Sequence, residues 1–117
     1  MRLIHKLEPL WWILFGAGGF TAGFFLFPLL LAVLVLAPLG LMSHGLSYDR
    51  AHMLAASLPG KVFLGAVISL VLWHCAHHLR HFILDIGGEA MAPVGAYLSY
   101  GLALAGTIVT LSLVAAL

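Results

Sequence analysis

The sequence predicts an all-α integral membrane protein, with three transmembrane helices and a short interfacial helix between the first and second. Three observations carry this reading. Of 117 residues, 63% are hydrophobic and only 8% are charged, whereas a soluble domain carries about 25% charged residues. So few charges cannot coat a water-facing surface, and the mean hydropathy of +1.14 agrees. The apolar residues also gather into three runs, each long enough for the ~20 helical residues that cross a hydrocarbon core.

Residues 1–117 form one membrane domain, with spans at roughly 12–39, 61–84 and 94–117. The short charged leader ends at Glu8-Pro9, and the apolar run behind it reaches about Met42. A secretory signal has an apolar region of only ~7–15 residues, so this run is read as a retained first span. Pro28 lies inside it, where a proline removes a hydrogen bond and kinks the helix, and Pro38 lies near its end. Between spans one and two, Ser47 is a candidate N-cap for an interfacial helix that Pro59-Gly60 would end. Gly87-Gly88 and Pro93 mark the turn between spans two and three.

Arg2, Lys6 and Arg80 fall on one side of the membrane, and Arg50 and Lys61 on the other. That excess places the N-terminus and the end of span two in the cytoplasm. A net charge of +1 excludes the basic footprint of a nucleic-acid binder. The single cysteine, Cys75, has no partner for an intrachain disulfide and reads as a small apolar side chain. Gly19 with Gly23, Gly65 with Ser69, and Gly101 with Ala105 repeat a small-x-x-x-small spacing that lets membrane helices approach closely. The cluster Gly16-Ala17-Gly18-Gly19 completes no dinucleotide fingerprint and follows no strand, so it too reads as close helix packing.

Chemistry concentrates at the end of span two, in Leu72-Trp73-His74-Cys75-Ala76-His77-His78-Leu79-Arg80-His81. At about 100° per residue, His74, His77, His78 and His81 share one helix face, with Trp73 and Arg80 beside it. Arg80 and His81 could snorkel to the headgroups; His74 lies more than a turn deeper, where an ionisable group faces protein or a wet cavity. His74-x-x-His77-His78 matches the histidine box of membrane di-iron enzymes, but those need several boxes in a longer chain, and His5, His44 and His52 are scattered. Zinc on His74 and His78 would lack further ligands. Haem b would need its second axial ligand from a partner chain. A quinone suits the whole group: histidine relays protons near neutrality, arginine or an indole N–H holds a ring oxygen, and apolar walls receive the ring. Trp11-Trp12 lies at the same depth; Trp11 reads as part of an aromatic belt, and Trp12 as a pocket candidate. These residues alone leave quinone and haem both open.

The run Glu8-Pro9-Leu10-Trp11-Trp12-Ile13-Leu14-Phe15-Gly16-Ala17-Gly18-Gly19 resembles the opening of the fumarate reductase D-subunit family. The likeness continues through Pro38-Leu39-Gly40-Leu41, Leu46-Ser47-Tyr48-Asp49-Arg50, Gly60-Lys61-Val62-Phe63-Leu64 and Leu72-Trp73 with His77. The resemblance implies a non-catalytic membrane anchor of quinol:fumarate reductase, in the bacterial inner membrane, serving anaerobic respiration. Its implied partners are a second small membrane anchor, an iron–sulfur protein and a flavoprotein with covalent FAD. It further implies a menaquinone or menaquinol site near Trp12 and His77, no metal ligands and no haem in this chain. The family's arginine after that histidine is replaced by His78, and Arg80 follows two residues later. The expected quinone contacts are therefore Trp12, His77, His78 and Arg80, with His74 and His81 in the same group. The alternatives are a haem b-binding anchor of the succinate dehydrogenase type and a purely structural anchor.

Overall fold

The computed structural model describes residues 6–42 and 47–117; Arg2, His5 and His44 lie outside them. Helix α1 runs Glu8–Leu36, α2 Tyr48–Ala56, α3 Leu58–Gly87 and α4 Ala92–Ala116, with a 3-10 turn at Glu89–Met91 leading into α4. Three stretches are long and apolar enough to cross a membrane: Glu8–Leu36, Leu58–Gly87 and Glu89–Ala116. At 1.5 Å per residue, the 30 residues of α3 exceed what a hydrocarbon core about 30 Å thick demands.

Each terminus has a local cause. Pro9 and Pro59 stand in the first turns of α1 and α3, where a missing N–H costs nothing. Glu8 opens α1 with a negative charge at the positive end of the helix dipole. Ser47 caps α2 by accepting from the Arg50 N–H at 3.3 Å. Pro59-Gly60 does not end α2 but opens α3. The break falls at Ser57, whose extended backbone separates the two helices and whose Oγ accepts from the Gly60 N–H at 3.2 Å. Gly88, at φ +67, ends α3.

The proline break in α1 takes a specific form. Two π-helical turns, Ala22–Leu26 and Ala32–Leu36, each finish two residues before a proline, Pro28 and Pro38. The Phe27 N–H reaches back to the Ala22 carbonyl, and the Ala37 N–H to the Ala32 carbonyl at 2.9 Å. A regular helix would press each proline ring onto the carbonyl four residues earlier. Widening the preceding turn by one residue moves that carbonyl aside.

Helix α3 is the middle of the molecule, packing against α1 on one side and α4 on the other. Small residues make both seams. A Cβ on Gly18 would overlap the Leu70 carbonyl and come within 2.6 Å of the His74 Cβ. Along α4, Gly95 meets Ile83, and Gly106 lies against Leu72, while Gly65 of α3 receives Leu111. The Gly101–Ala105 pair turns away from this seam: a Cβ on Gly101 would meet nothing within 4 Å, and Ala105 is exposed. Gly23 is likewise open, so Gly18 and Gly19, not Gly19 and Gly23, form the α1 contact. Large side chains such as Phe20, Phe24, Phe27, Leu34 and Leu113 point outward, as lipid or further helices require.

Candidate functional site

The histidine end of α3 meets the first turns of α1 and α4. His74 Nδ1 lies 2.8 Å from the Phe15 carbonyl oxygen of α1. A carbonyl only accepts, so Nδ1 carries a proton and donates it to Phe15. The same ring stacks on Phe15, with centroids 4.6 Å apart and planes at 13°. This approach needs Gly19, where a Cβ would stand 2.9 Å from the His74 Cε1.

His77 is only 5% exposed, and both its ring nitrogens are engaged. Nδ1 lies 3.2 Å from the Tyr100 hydroxyl of α4, and Nε2 lies 3.1 Å from the Nε2 of His81. The ring is walled by Trp12 at 5.4 Å and Phe15 at 4.8 Å. Trp12 itself stays 56% exposed. His78 is exposed, with its ring edge-on to Phe15 at 5.1 Å and to His74 at 4.8 Å. Arg80 turns to the other side, toward Tyr100; its buried Nε has no partner among the described residues.

Trp11 is more than a belt residue. It stacks on Tyr100 at 4.6 Å and on Trp73 at 5.6 Å, with Trp73 and Tyr100 6.0 Å apart. Each such pair is worth about 0.5–1.5 kcal/mol beyond its burial, so the three rings tie α1, α3 and α4 at this end. The Trp11 Nε1 is buried without a partner among the described residues.

Two cavities flank the cluster. One, of about 310 Å³, is an apolar cleft lined by Leu7, Trp11, Trp73, Tyr97, Tyr100 and Leu104 among others. The second, of about 610 Å³, lies at the α3–α4 turn against Arg80, His81, Asp85 and Glu89. Among the described residues, no three His, Cys, Asp or Glu side chains gather as a metal site.

Of the residues singled out in the sequence, Trp12, His74, His77, His78 and His81 share one cluster, and Arg80 sits at its α4 edge. Phe15 and Tyr100 belong to it as well, beyond the residues that the sequence singles out. Phe15 follows Trp11 by four residues and so shares its face of α1. Tyr100 lies two turns into α4, at the depth of the histidines.

A family model describing the D subunit of fumarate reductase matches residues 3–115. The fumarate reductase D subunit of Vibrio vulnificus is 38% identical over 109 residues, covering 92% of this chain and 84% of the relative. That of Vibrio cholerae serotype O1 is 41% identical over 81 residues, covering 68% of this chain and 62% of the relative. A third, from a Shewanella species, is 33% identical over 104 residues, covering 88% and 83%.

Proposed function

Because this chain belongs to the fumarate reductase D-subunit family of membrane anchors, we propose that it helps form a menaquinol site. In this reading it also holds a flavoprotein and an iron–sulfur protein on the cytoplasmic face of the bacterial inner membrane, together with a second small anchor. The N-terminus of α1, the end of α3 and the start of α4 then lie on the cytoplasmic side.

The observation that carries the proposal is the gathering of indole, imidazole and guanidinium groups at one end of an otherwise apolar bundle. A quinol headgroup needs apolar walls and a few fixed polar groups. Trp11, Trp73 and Tyr100 wall the apolar cleft of about 310 Å³, with the orphaned Nε1 of Trp11 and the Nε of Arg80 as donors. Trp12 and Phe15 pack against His77 behind it. Iron–sulfur clusters do not fit this chain, because its one cysteine cannot supply the four thiolates they take. Clusters and FAD belong to the partner proteins. Quinol oxidation yields two electrons for those clusters and two protons; this chain's residues hold the headgroup, exclude water and move protons. His77 and His78 suit proton handling, since a neutral imidazole carries a donor on one ring nitrogen and an acceptor on the other.

The test is Trp12→Phe, His77→Ala, His78→Ala and Arg80→Ala in the assembled complex. Fumarate reduction by an artificial dye, which bypasses the membrane, should survive. Menaquinol-driven reduction should fall, by about 10²–10⁴-fold where the lost group acts as acid or base in the limiting step. Full quinol activity in all four variants would leave only a structural anchor. A b-type absorption band of the reduced complex that disappears with His74 or His77 would establish the haem-bearing alternative.

A further inference from the structure

Resting on the quinol reading, we infer that Tyr100, His77 and His81 form a proton path from the aromatic cleft between α1 and α4 to the polar cavity at the α3–α4 turn. Tyr100 is then a further catalytic residue, the one that meets the quinol hydroxyl.

Three observations support this. First, the three side chains are continuous: the Tyr100 hydroxyl bonds His77 Nδ1 at 3.2 Å, and His77 Nε2 bonds His81 Nε2 at 3.1 Å. Second, His77 is closed to direct attack, since it is 5% exposed with both nitrogens taken. A proton reaches it only through a neighbour. Third, the two ends differ in polarity. Tyr100 borders the apolar cleft of about 310 Å³ beside Trp11 and Trp73, within the ~300–1,000 Å³ range of small-molecule pockets. His81 is exposed and borders the cavity of about 610 Å³ with Asp85 and Glu89. An apolar substrate enters from the first, and its protons must reach water through the second.

The bonding permits two tautomeric patterns. In one, Tyr100 O–H donates to His77 Nδ1, and His77 Nε2–H donates to His81 Nε2. In the other, His81 Nε2–H donates to His77 Nε2, and His77 Nδ1–H donates to the Tyr100 oxygen. Moving one proton along the path converts the first into the second. The quinol O–H bond breaks as a new Tyr100 O–H forms, while the former tyrosine proton passes to His77 Nδ1. The Nε2 proton of His77 passes to His81 Nε2, and His81 Nδ1 releases its own proton to water in the polar cavity. The electrons leave the quinol for an iron–sulfur cluster of the partner protein. The rings return to the first pattern before a second proton follows. His74, His78 and Arg80 also surround His77, but its two ring nitrogens point to Tyr100 and His81.

The experiment compares Tyr100→Phe, His81→Ala and His77→Ala in the complete complex. Tyr100→Phe keeps the ring that stacks on Trp11 and deletes only the hydroxyl. Both path variants should keep dye-driven fumarate reduction and lose about 10²-fold or more in menaquinol-driven kcat. His81→Ala should leave the KM for quinol near its normal value. Imidazole in the medium should restore His81→Ala, because the polar cavity admits it, and should not restore Tyr100→Phe. The path is refuted if Tyr100→Phe and His81→Ala keep full quinol turnover while His77→Ala loses it. If His77→Ala and the Trp12, His78 and Arg80 variants also keep full turnover, the quinol reading itself fails. Should His81→Ala lose dye activity through misassembly, His81→Gln replaces it: a hydrogen-bonding side chain that carries no transferable proton must also lose quinol turnover.

Discussion

Replacing Gly18 by alanine tests how closely α1 rests on α3. The added Cβ would overlap the Leu70 carbonyl and stand 2.6 Å from the His74 Cβ. Neither neighbour is the free end of a flexible side chain, so the helices must separate. Overpacking of this kind costs about 1–3 kcal/mol. Separation also strains the His74–Phe15 bond of 2.8 Å, which adds about 1 kcal/mol. Alanine regains up to about 1 kcal/mol in helix propensity over glycine. Gly16→Ala and Gly23→Ala share that gain, and a Cβ at either would meet nothing within 4 Å. The difference between Gly18→Ala and these controls therefore isolates the clash, at about 2–4 kcal/mol destabilising. The assay is the midpoint of detergent-driven disassembly of the purified complex. Gly18→Ala should fall below wild type while both controls stay level or rise. If Gly18→Ala matches its controls, the α1–α3 seam has been misjudged.

The corner between α2 and α3 yields two more expectations. Gly60→Ala would drive a Cβ into the Leu54 carbonyl, so α2 must swing away, and limited proteolysis near Ser57 should quicken. Ser57→Ala loses a bond accepted from Gly60 N–H and one donated to the Leu54 carbonyl at 2.6 Å; it should destabilise by about 1–2 kcal/mol, with Ser57→Thr largely restoring the midpoint. Topology can be checked in a Cys75→Ser background, because the native thiol is exposed. Cysteines at Lys6 and Glu89 should label from the cytoplasmic side of oriented vesicles and one at Tyr48 from the other; opposite labelling of Lys6 and Glu89 would break the three-span topology.

Hydropathy made the three spans legible, because each apolar run exceeds a bilayer's thickness. Helix phase likewise grouped the four histidines correctly on α3. What it could not supply was the partner of each side chain. Arg80 and His77 look adjacent by helix arithmetic, yet only the rotation of α4 decides that both turn to Tyr100. Trp11 carried an ordinary interfacial explanation, and its stacking depends on two other helices converging at one height. Pro28 announced a break without announcing its form, since a kink and a widened turn both spare the ring. Pro59-Gly60 misled because proline marks helix beginnings as well as ends, and only the extended Ser57 resolves which.

The paired π turns and prolines of α1 have an evolutionary consequence. In residue count, each π turn is a regular helix carrying one surplus residue. Deleting one residue from Ala22–Leu26 alone would restore an ordinary helical path and bring the Pro28 ring onto the carbonyl four residues before it, at a cost of about 3 kcal/mol. Deleting it together with Pro28→Ala removes both the surplus and the obstruction, while Gly18 stays against His74. Proline and surplus residue are thus epistatic: each tolerates the other, and a lineage can shed both far more easily than the surplus residue alone.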